Sequence, residues 1–167
     1  MRPTSPVRTL KIIAWIELLG GIAGAIMTAL VLPKLAAQSH VSTLRLLPWL
    51  APPFVLSLVA GVLLLRGGAV GEILSSINLA LQVPVLATPF LSYFFNSGLA
   101  LRMWIGPDGP GWFVFLGSQF HISFAPRVPG ILIGVNAVAV TLLVWLIRAM
   151  PDGPAATTRE IGVAHSA

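Results

Sequence analysis

Four long runs of apolar residues dominate the hydropathy pattern of the chain. They cover residues 12–32, 46–65, 70–95 and 131–147. An α-helix rises about 1.5 Å per residue, so about 20 apolar residues cross a hydrocarbon core of about 30 Å. The pattern therefore predicts an all-α membrane protein, a four-transmembrane-helix bundle whose membrane domain covers residues 12–150.

The segment between the third and fourth runs has a different pattern. Residues 99–124 are rich in aromatic and β-branched side chains, and residues 106–111 combine Gly, Pro and Asp in a way that favours turns. We therefore predict a small extracytoplasmic β-hairpin at residues 99–124.

A lone two-stranded hairpin is only marginally stable, so this one should be covered. The cover could be the lipid surface, the ends of the helices, a second copy of the chain, or a partner that adds a strand. The expected contact residues are Trp104, Trp112, Phe113, Phe115 and Phe120.

Composition supports residence in a membrane. Hydrophobic residues make up 56% of the chain and charged residues only 9%, against about 25% charged residues in a typical soluble domain. The net charge of +5 comes from residues scattered at the ends of apolar runs, so we expect contact with the lipid bilayer and no nucleic acid. The absence of cysteine excludes disulfides and thiolate chemistry.

Positive charge predicts the orientation, because cytoplasmic loops carry an excess of Lys and Arg. With four spans, the side that holds both termini carries Arg2, Arg8, Lys11, Arg66, Arg148 and Arg159. The other side carries Lys34, Arg45, Arg102 and Arg127. We therefore expect a multi-pass protein of the cell membrane with both termini in the cytoplasm. The bias of Arg over Lys and the many Ala, Gly and Pro residues suggest a bacterial source, and hence a bacterial inner membrane.

The ends of the chain are expected outside the membrane. Residues 1–11 form a short basic segment on the cytoplasmic side, and residues 151–167 form a small, polar tail that we predict to be disordered. The first apolar run could serve as a signal peptide. It is interpreted as a span because it exceeds the usual apolar length of about 7–15 residues and contains a glutamate.

Glu17 is the most informative residue of the first span. An acidic residue at such depth is disfavoured and suggests a function, although many intramembrane acids only hold helices together. The third span carries a polar arc of Ser75, Asn78 and Gln82, with Glu72 beside it. If the two spans touch, these residues form one intramembrane polar site.

Alternative explanations remain for each of these polar residues. Glu72 opens the third span, where an acid is favoured by the helix dipole alone. Hydrogen bonds between helices account for the arc without any transport.

Small residues predict where helices pack. Gly20 and Gly24 form a GxxxG pair, and Gly130 and Gly134 begin a row of small residues in the fourth span. Such rows let two helices approach closely.

No recognised catalytic or metal-binding motif occurs. His121 stands alone in a predicted strand, so we predict no metal site and no cofactor. The spans hold neither aspartate nor histidine for an intramembrane hydrolase, so an enzyme is the least supported class.

Two functions remain open at this stage. The first is a non-enzymatic membrane protein that acts through association, as a homo-oligomer or with a membrane-protein partner. The second is a small oligomeric transporter or channel that uses Glu17 as a proton or cation site.

Overall fold

The computed structural model describes residues 6–39, 43–126 and 130–150, and its fold is mixed α/β. Within these residues, five helices accompany a curled, four-stranded antiparallel sheet. The all-α prediction is therefore wrong. In chain order the elements are α1 (Pro6–Ser39), α2 (Thr43–Leu50), α3 (Pro52–Arg66), α4 (Ala69–Gln82), β1 (Pro84–Ala87), β2 (Leu91–Gly106), β3 (Gly109–Phe124), β4 (Leu132–Asn136) and α5 (Ala137–Ala149).

Among the described residues, one helical segment is long and apolar enough to cross a membrane. It is Val7–Lys34 in α1, a segment of 28 residues whose most apolar stretch has a mean hydropathy of 1.9. The predicted second span is divided between α2 and α3, and α3 has 15 residues. A helix of that length reaches only about 22 Å, which is shorter than a hydrocarbon core of about 30 Å.

The predicted third span is also wrong. It was expected as one helix over residues 70–95, but α4 ends at Gln82. Pro84 has no N–H to continue the helix and its ring conflicts with the carbonyl group of Ala80. The chain then enters β1 and β2, so the hairpin expected at residues 99–124 begins at Leu91 and belongs to a larger sheet.

The fourth apolar run begins as a strand. Residues Leu132–Asn136 form β4, and the helix α5 starts only at Ala137. The 13 residues of α5 are too few to cross a hydrocarbon core. The predicted disordered tail at residues 151–167 lies outside the described residues, as do Arg2, Arg127 and Arg159.

Three strands of the sheet pair with one another in all three combinations. β1 pairs with β2 and β4, and β4 also pairs with the second half of β2. All of these ladders are antiparallel. Three mutually antiparallel strands are possible only because β2 reverses its direction between its first and second halves.

The reversal occurs where two glycines face each other across the hairpin of β2 and β3. Gly98 pairs with Gly117, and their φ angles are 100° and 134°. L-amino acids with a side chain rarely adopt such angles, so glycine permits the bend here. The bend brings the two ends of the hairpin towards each other and gives the sheet its curl.

The helices pack beside this bent sheet. Helices α1, α3, α4 and α5 share an apolar cluster that contains Ile13, Leu64, Leu79 and Leu146. Helix α1 packs along α3 and also contacts β2 and β3. The long first helix therefore contacts both the other helices and the sheet.

Candidate functional site

The carboxyl group of Glu17 lies in the interior, where three helices meet. Its side chain is 1% exposed. Its Oε2 accepts a hydrogen bond from the Ser75 hydroxyl at 2.6 Å, and its Oε1 accepts one from Nδ2 of Asn78 at 2.8 Å. Both donors belong to α4, so these bonds join the first helix to the fourth.

The network continues from Asn78 into α3. The Ser57 hydroxyl donates to Oδ1 of Asn78 at 2.9 Å and also lies 3.1 Å from the carbonyl oxygen of Pro53. Because Ser57 holds the amide oxygen of Asn78, the amide nitrogen faces Glu17. One amide side chain therefore connects α1, α3 and α4.

A second group of contacts joins the helices to the sheet. Oε1 of Gln82 accepts a hydrogen bond from the main-chain N–H of Ser97 at 2.8 Å. The Ser118 hydroxyl donates to the carbonyl oxygen of Gly20 at 2.6 Å and accepts the N–H of Gly98 at 3.3 Å. The bend of the hairpin is thus fixed to α1 by polar contacts.

The Ser97 hydroxyl is the exception in this interface. Ser97 is 4% exposed, and its oxygen has no hydrogen-bond partner among the described residues. An unpaired buried hydroxyl is unfavourable. The close approach of the Ser97 main chain to Gly20 explains its position, because the hydroxyl group is carried into the interface with the backbone.

The chemistry of the Glu17 site follows from its partners. Within the described part of the chain, Ser75 and Asn78 are the hydrogen-bond partners of the carboxyl group, and both are uncharged. A serine hydroxyl can donate or accept, so the contact with Ser75 suits a carboxylate as well as a carboxylic acid. The arrangement can therefore hold the helices together, or hold a proton or a small cation.

The structure brings most of the expected polar site together. Glu17, Ser75 and Asn78 are in direct contact, and Gln82 lies one turn beyond Asn78 on the same helix. Glu72 does not join them. It lies half-buried in the first turn of α4, where the helix dipole favours an acid.

Of the four glycines expected to pack against a helix, Gly24 does so and the other three have different surroundings. A Cβ atom on Gly20 would lie 2.6 Å from the carbonyl oxygen of Ser97. Gly20 therefore allows the close approach of strand β2 and not of a helix. Gly24 faces the ring of Phe54 in α3. Gly130 and Gly134 were expected on a helix face, but one precedes β4 and the other lies within it, so that helix seam does not form.

Sequence reasoning missed three serines of the site, which are Ser57, Ser97 and Ser118. Ser57 is the one polar side chain in the apolar run of residues 46–65, which is a usable signal. Ser97 and Ser118 lie in strands that were not expected to touch α1, so no local pattern pointed to them.

A second polar cluster lies on the inner side of the bent hairpin. The guanidinium group of Arg102 stacks on the ring of Phe94, 4.2 Å from its centre. It donates to the side-chain oxygens of Asn96 and Gln119. Burial lowers the pKa of the Arg102 guanidinium. Because its partners lie in both strands beyond the bend, Arg102 holds the two halves of the hairpin together.

The distal hairpin, defined here as residues 99–116, exposes large apolar side chains on both of its faces, and Arg102 lies on one of them. One face carries Leu99, Leu101, Met103 and Ile105 of β2 opposite Leu116, Val114, Trp112 and Pro110 of β3. This face continues onto β4 and forms an open groove of about 560 Å³. Several of these side chains are strongly exposed, with Leu116 at 82% and Ile105 at 72%.

The five expected contact residues divide into two groups. Trp112 and Phe113 are exposed, at 69% and 51%. Trp104 is half-buried with its ring over Gly111. Phe115 and Phe120 are also half-buried, and the ring of Phe120 packs edge-on against Phe95 at 6.0 Å. Trp112 and Phe113 are therefore the better candidates for contact with another molecule.

Comparison with known proteins gives no relative for this chain. No family model, no curated protein and no solved structure matches it.

Proposed function

We propose that this protein is anchored in a membrane through α1 and acts without catalysis, by association, as a subunit or accessory factor of a membrane complex. The observation that carries the proposal is the distal hairpin, which exposes large apolar side chains on both of its faces. Exposed apolar patches of this kind are typical of protein–protein or membrane contact sites.

The surface of α1 supports the membrane anchor. Only 28% of its most apolar window is buried inside the protein, whereas a core helix of a soluble protein is mostly buried. Its exposed side chains include Leu19, Ile22 and Ile26. Arg8 and Lys11 lie near its start, which favours a cytoplasmic N-terminus.

The shorter helices are also suited to a membrane, although they do not cross it. Helix α3 packs along α1, so in our proposal both lie at a similar depth. Its outward side chains Val55 and Val59 are apolar and exposed. The short helices would be covered by lipid or by a partner, and the polar residues would remain in the interior.

The proposal is tested by the native mass of the purified protein in mild detergent, measured by native mass spectrometry at two pH values. We expect a defined oligomer or a complex with a second protein. The double variant Trp112→Ser, Phe113→Ser should lose that assembly and stay in the membrane fraction, because its changes lie outside the interior.

The matched control is Trp49→Ser, since Trp49 is equally exposed, at 72%, but lies on α2. Its assembly should equal that of the wild type. A wild-type monomer without any partner, or a double variant of unchanged mass, would contradict the proposal.

A second candidate function is the passage of protons or small cations, with Glu17 as the binding group. It is favoured by the convergence of Ser75, Asn78 and Ser57 on one buried carboxyl group that has no basic partner among the described residues. Gln82 would extend the polar path towards the sheet.

Flux measurements in liposomes test this second function. Glu17→Gln should abolish a pH- or voltage-dependent flux, whereas Glu72→Gln, outside the network, should leave it unchanged. A wild-type protein that carries no common ion would exclude this function.

A further inference from the structure

The sheet has one open edge, and it belongs to β3. Strands β1 and β4 each use both of their edges, and β2 pairs with β3 on one side and with β1 and β4 on the other. Among the described strands, β3 alone has a single partner. One edge of its 16 residues therefore presents main-chain N–H and C=O groups without a strand beside them.

This edge lacks the features that usually protect an edge strand. Natural edge strands are blocked by charged side chains, by prolines or by bulges. Gly109–Phe124 contains no Lys, Arg, Asp or Glu, and its one proline stands next to the turn. The edge is thus suited to pairing with another strand.

The surroundings make such pairing necessary. Large apolar side chains are exposed on both faces of the distal hairpin, Trp112 on one and Phe113 on the other, and they favour a lipid or protein environment over water. In lipid, main-chain polar groups need partners within the protein, and open sheet edges do not occur. The helices do not supply this partner for the distal part, because Trp112, Val114 and Leu116 remain exposed.

We infer that β3 pairs with β3 of a second copy, antiparallel and across a two-fold axis within Gly109–Leu116. This inference rests on the proposed function and names the partner. An antiparallel pair of identical strands is self-complementary in its hydrogen bonds, as an isologous interface requires. After pairing, every strand of both copies has a neighbour on each side.

The side chains favour a second copy over an unrelated strand. A two-fold axis places each residue near its own equivalent, so a charged residue near the axis would face the same charge. The distal part of β3 is free of charge and apolar, with Trp112, Phe113, Val114 and Leu116. The half beyond Gly117 carries Gln119 and His121 and lies closer to α1, which places the axis in the distal part.

The natural chain has no cysteine, so single-cysteine variants test the pairing directly. Cysteines are introduced one at a time at positions 112 to 116 of the full-length protein in membranes, followed by oxidation. Equivalent positions move apart by about 7 Å for each step from the axis, because strands rise about 3.4 Å per residue. The disulfide-linked dimer should therefore show a sharp maximum at one or two adjacent positions.

Val55→Cys is the matched control, since Val55 and Val114 are each 52% exposed but Val55 lies on α3. It should form little dimer. A second measurement compares Val114→Lys with Val55→Lys by native mass. Val114→Lys should convert the dimer to monomer because the two-fold axis opposes the new charges, and Val55→Lys should keep the dimer.

The outcomes separate this inference from the proposed function. A wild-type complex without a cross-linking maximum on β3, or a cross-link from β3 to a different protein, overturns the pairing and leaves the association function in place. A wild-type protein that is monomeric without partners overturns both.

Discussion

Two buried serine hydroxyl groups have opposite surroundings, although both side chains are almost fully enclosed. Ser75 donates to Glu17 at 2.6 Å, and the Ser97 hydroxyl has no partner among the described residues. Replacing Ser75 by alanine leaves Glu17 with one partner fewer, whereas replacing Ser97 by alanine removes a group that was already unsatisfied.

We therefore expect Ser75→Ala to lower the free energy of unfolding by about 1–3 kcal/mol. Ser97→Ala should leave it within about 0.5 kcal/mol of the wild type or raise it. Thermal unfolding in detergent, followed by circular dichroism, measures both variants. Equal losses for the two serines would show that the described hydrogen bonds do not determine stability.

Glu17 itself permits a similar comparison. Glu17→Ala leaves the Ser75 hydroxyl and the Asn78 amide without an acceptor, so we expect a loss of about 2–6 kcal/mol, at about 1–3 kcal/mol for each unpaired group. Glu17→Gln keeps the volume and one carbonyl oxygen and should lose less than about half of that. The same unfolding measurement applies, and equal losses would argue against a hydrogen-bonding role of the carboxyl group.

The residue scale is also where the sequence was most informative. Glu17 was recognisable because an acidic residue is rare and disfavoured within an apolar run. Ser75 and Asn78 followed from their helical spacing. Ser118 could not be found, because its contact with Gly20 spans 98 residues and depends on a bend in a strand.

At the scale of elements, the contact between α1 and the bent hairpin depends on a glycine. A Cβ atom on Gly20 would overlap the main chain of Ser97, which cannot move without the strand. Gly20→Ala should therefore lower the free energy of unfolding by about 1–3 kcal/mol through overpacking.

Gly106→Ala is the control for this substitution. The nearest atom to a Cβ at Gly106 is Cδ1 of Leu132 at 3.5 Å, an ordinary contact. Its melting temperature should stay close to that of the wild type. If Gly20→Ala had the same melting temperature as Gly106→Ala, α1 and the sheet would not be tightly packed.

Sequence reasoning failed at this scale, because it assigned strands as part of a membrane helix. Residues 70–95 form one apolar run, and a strand buried on both faces is as continuously apolar as a membrane helix. Pro84 and the aromatic residues at 93–95 were the local signs of strands. Apolarity alone could not separate the two, because it measures burial and not backbone conformation.

At the scale of the whole molecule, the distribution of polar and apolar side chains differs from that of a soluble protein. Glu17, Asn78, Asn96 and Asn136 are buried, whereas much of the surface of α1 and of the hairpin is apolar and exposed. Such a distribution is favourable when lipid or a protein partner surrounds the chain, since polar groups then satisfy one another inside.

The proposed anchoring role of α1 can be tested by placing one arginine at either of two positions. Ile22→Arg, near the middle of the apolar segment, should reduce retention in the membrane after an alkaline wash, because a central Arg costs about 2.5–3.5 kcal/mol. Val7→Arg, at the start of the segment and 62% exposed, should be tolerated because its side chain can reach the interface. Equal retention of both variants would argue against a membrane-spanning α1.

The long-range contacts of α1 can form only after later parts of the chain have been synthesised. The donors to Glu17 on α4 begin 58 residues later in the chain, and the Ser118 contact to Gly20 comes 98 residues later. At about 5–20 residues per second, the ribosome delivers the first donor about 3–12 s after Glu17 and the serine of β3 after about 5–20 s. A nascent chain that stops before Ser75 thus holds the carboxyl group of Glu17 in an apolar helix with neither of its donors.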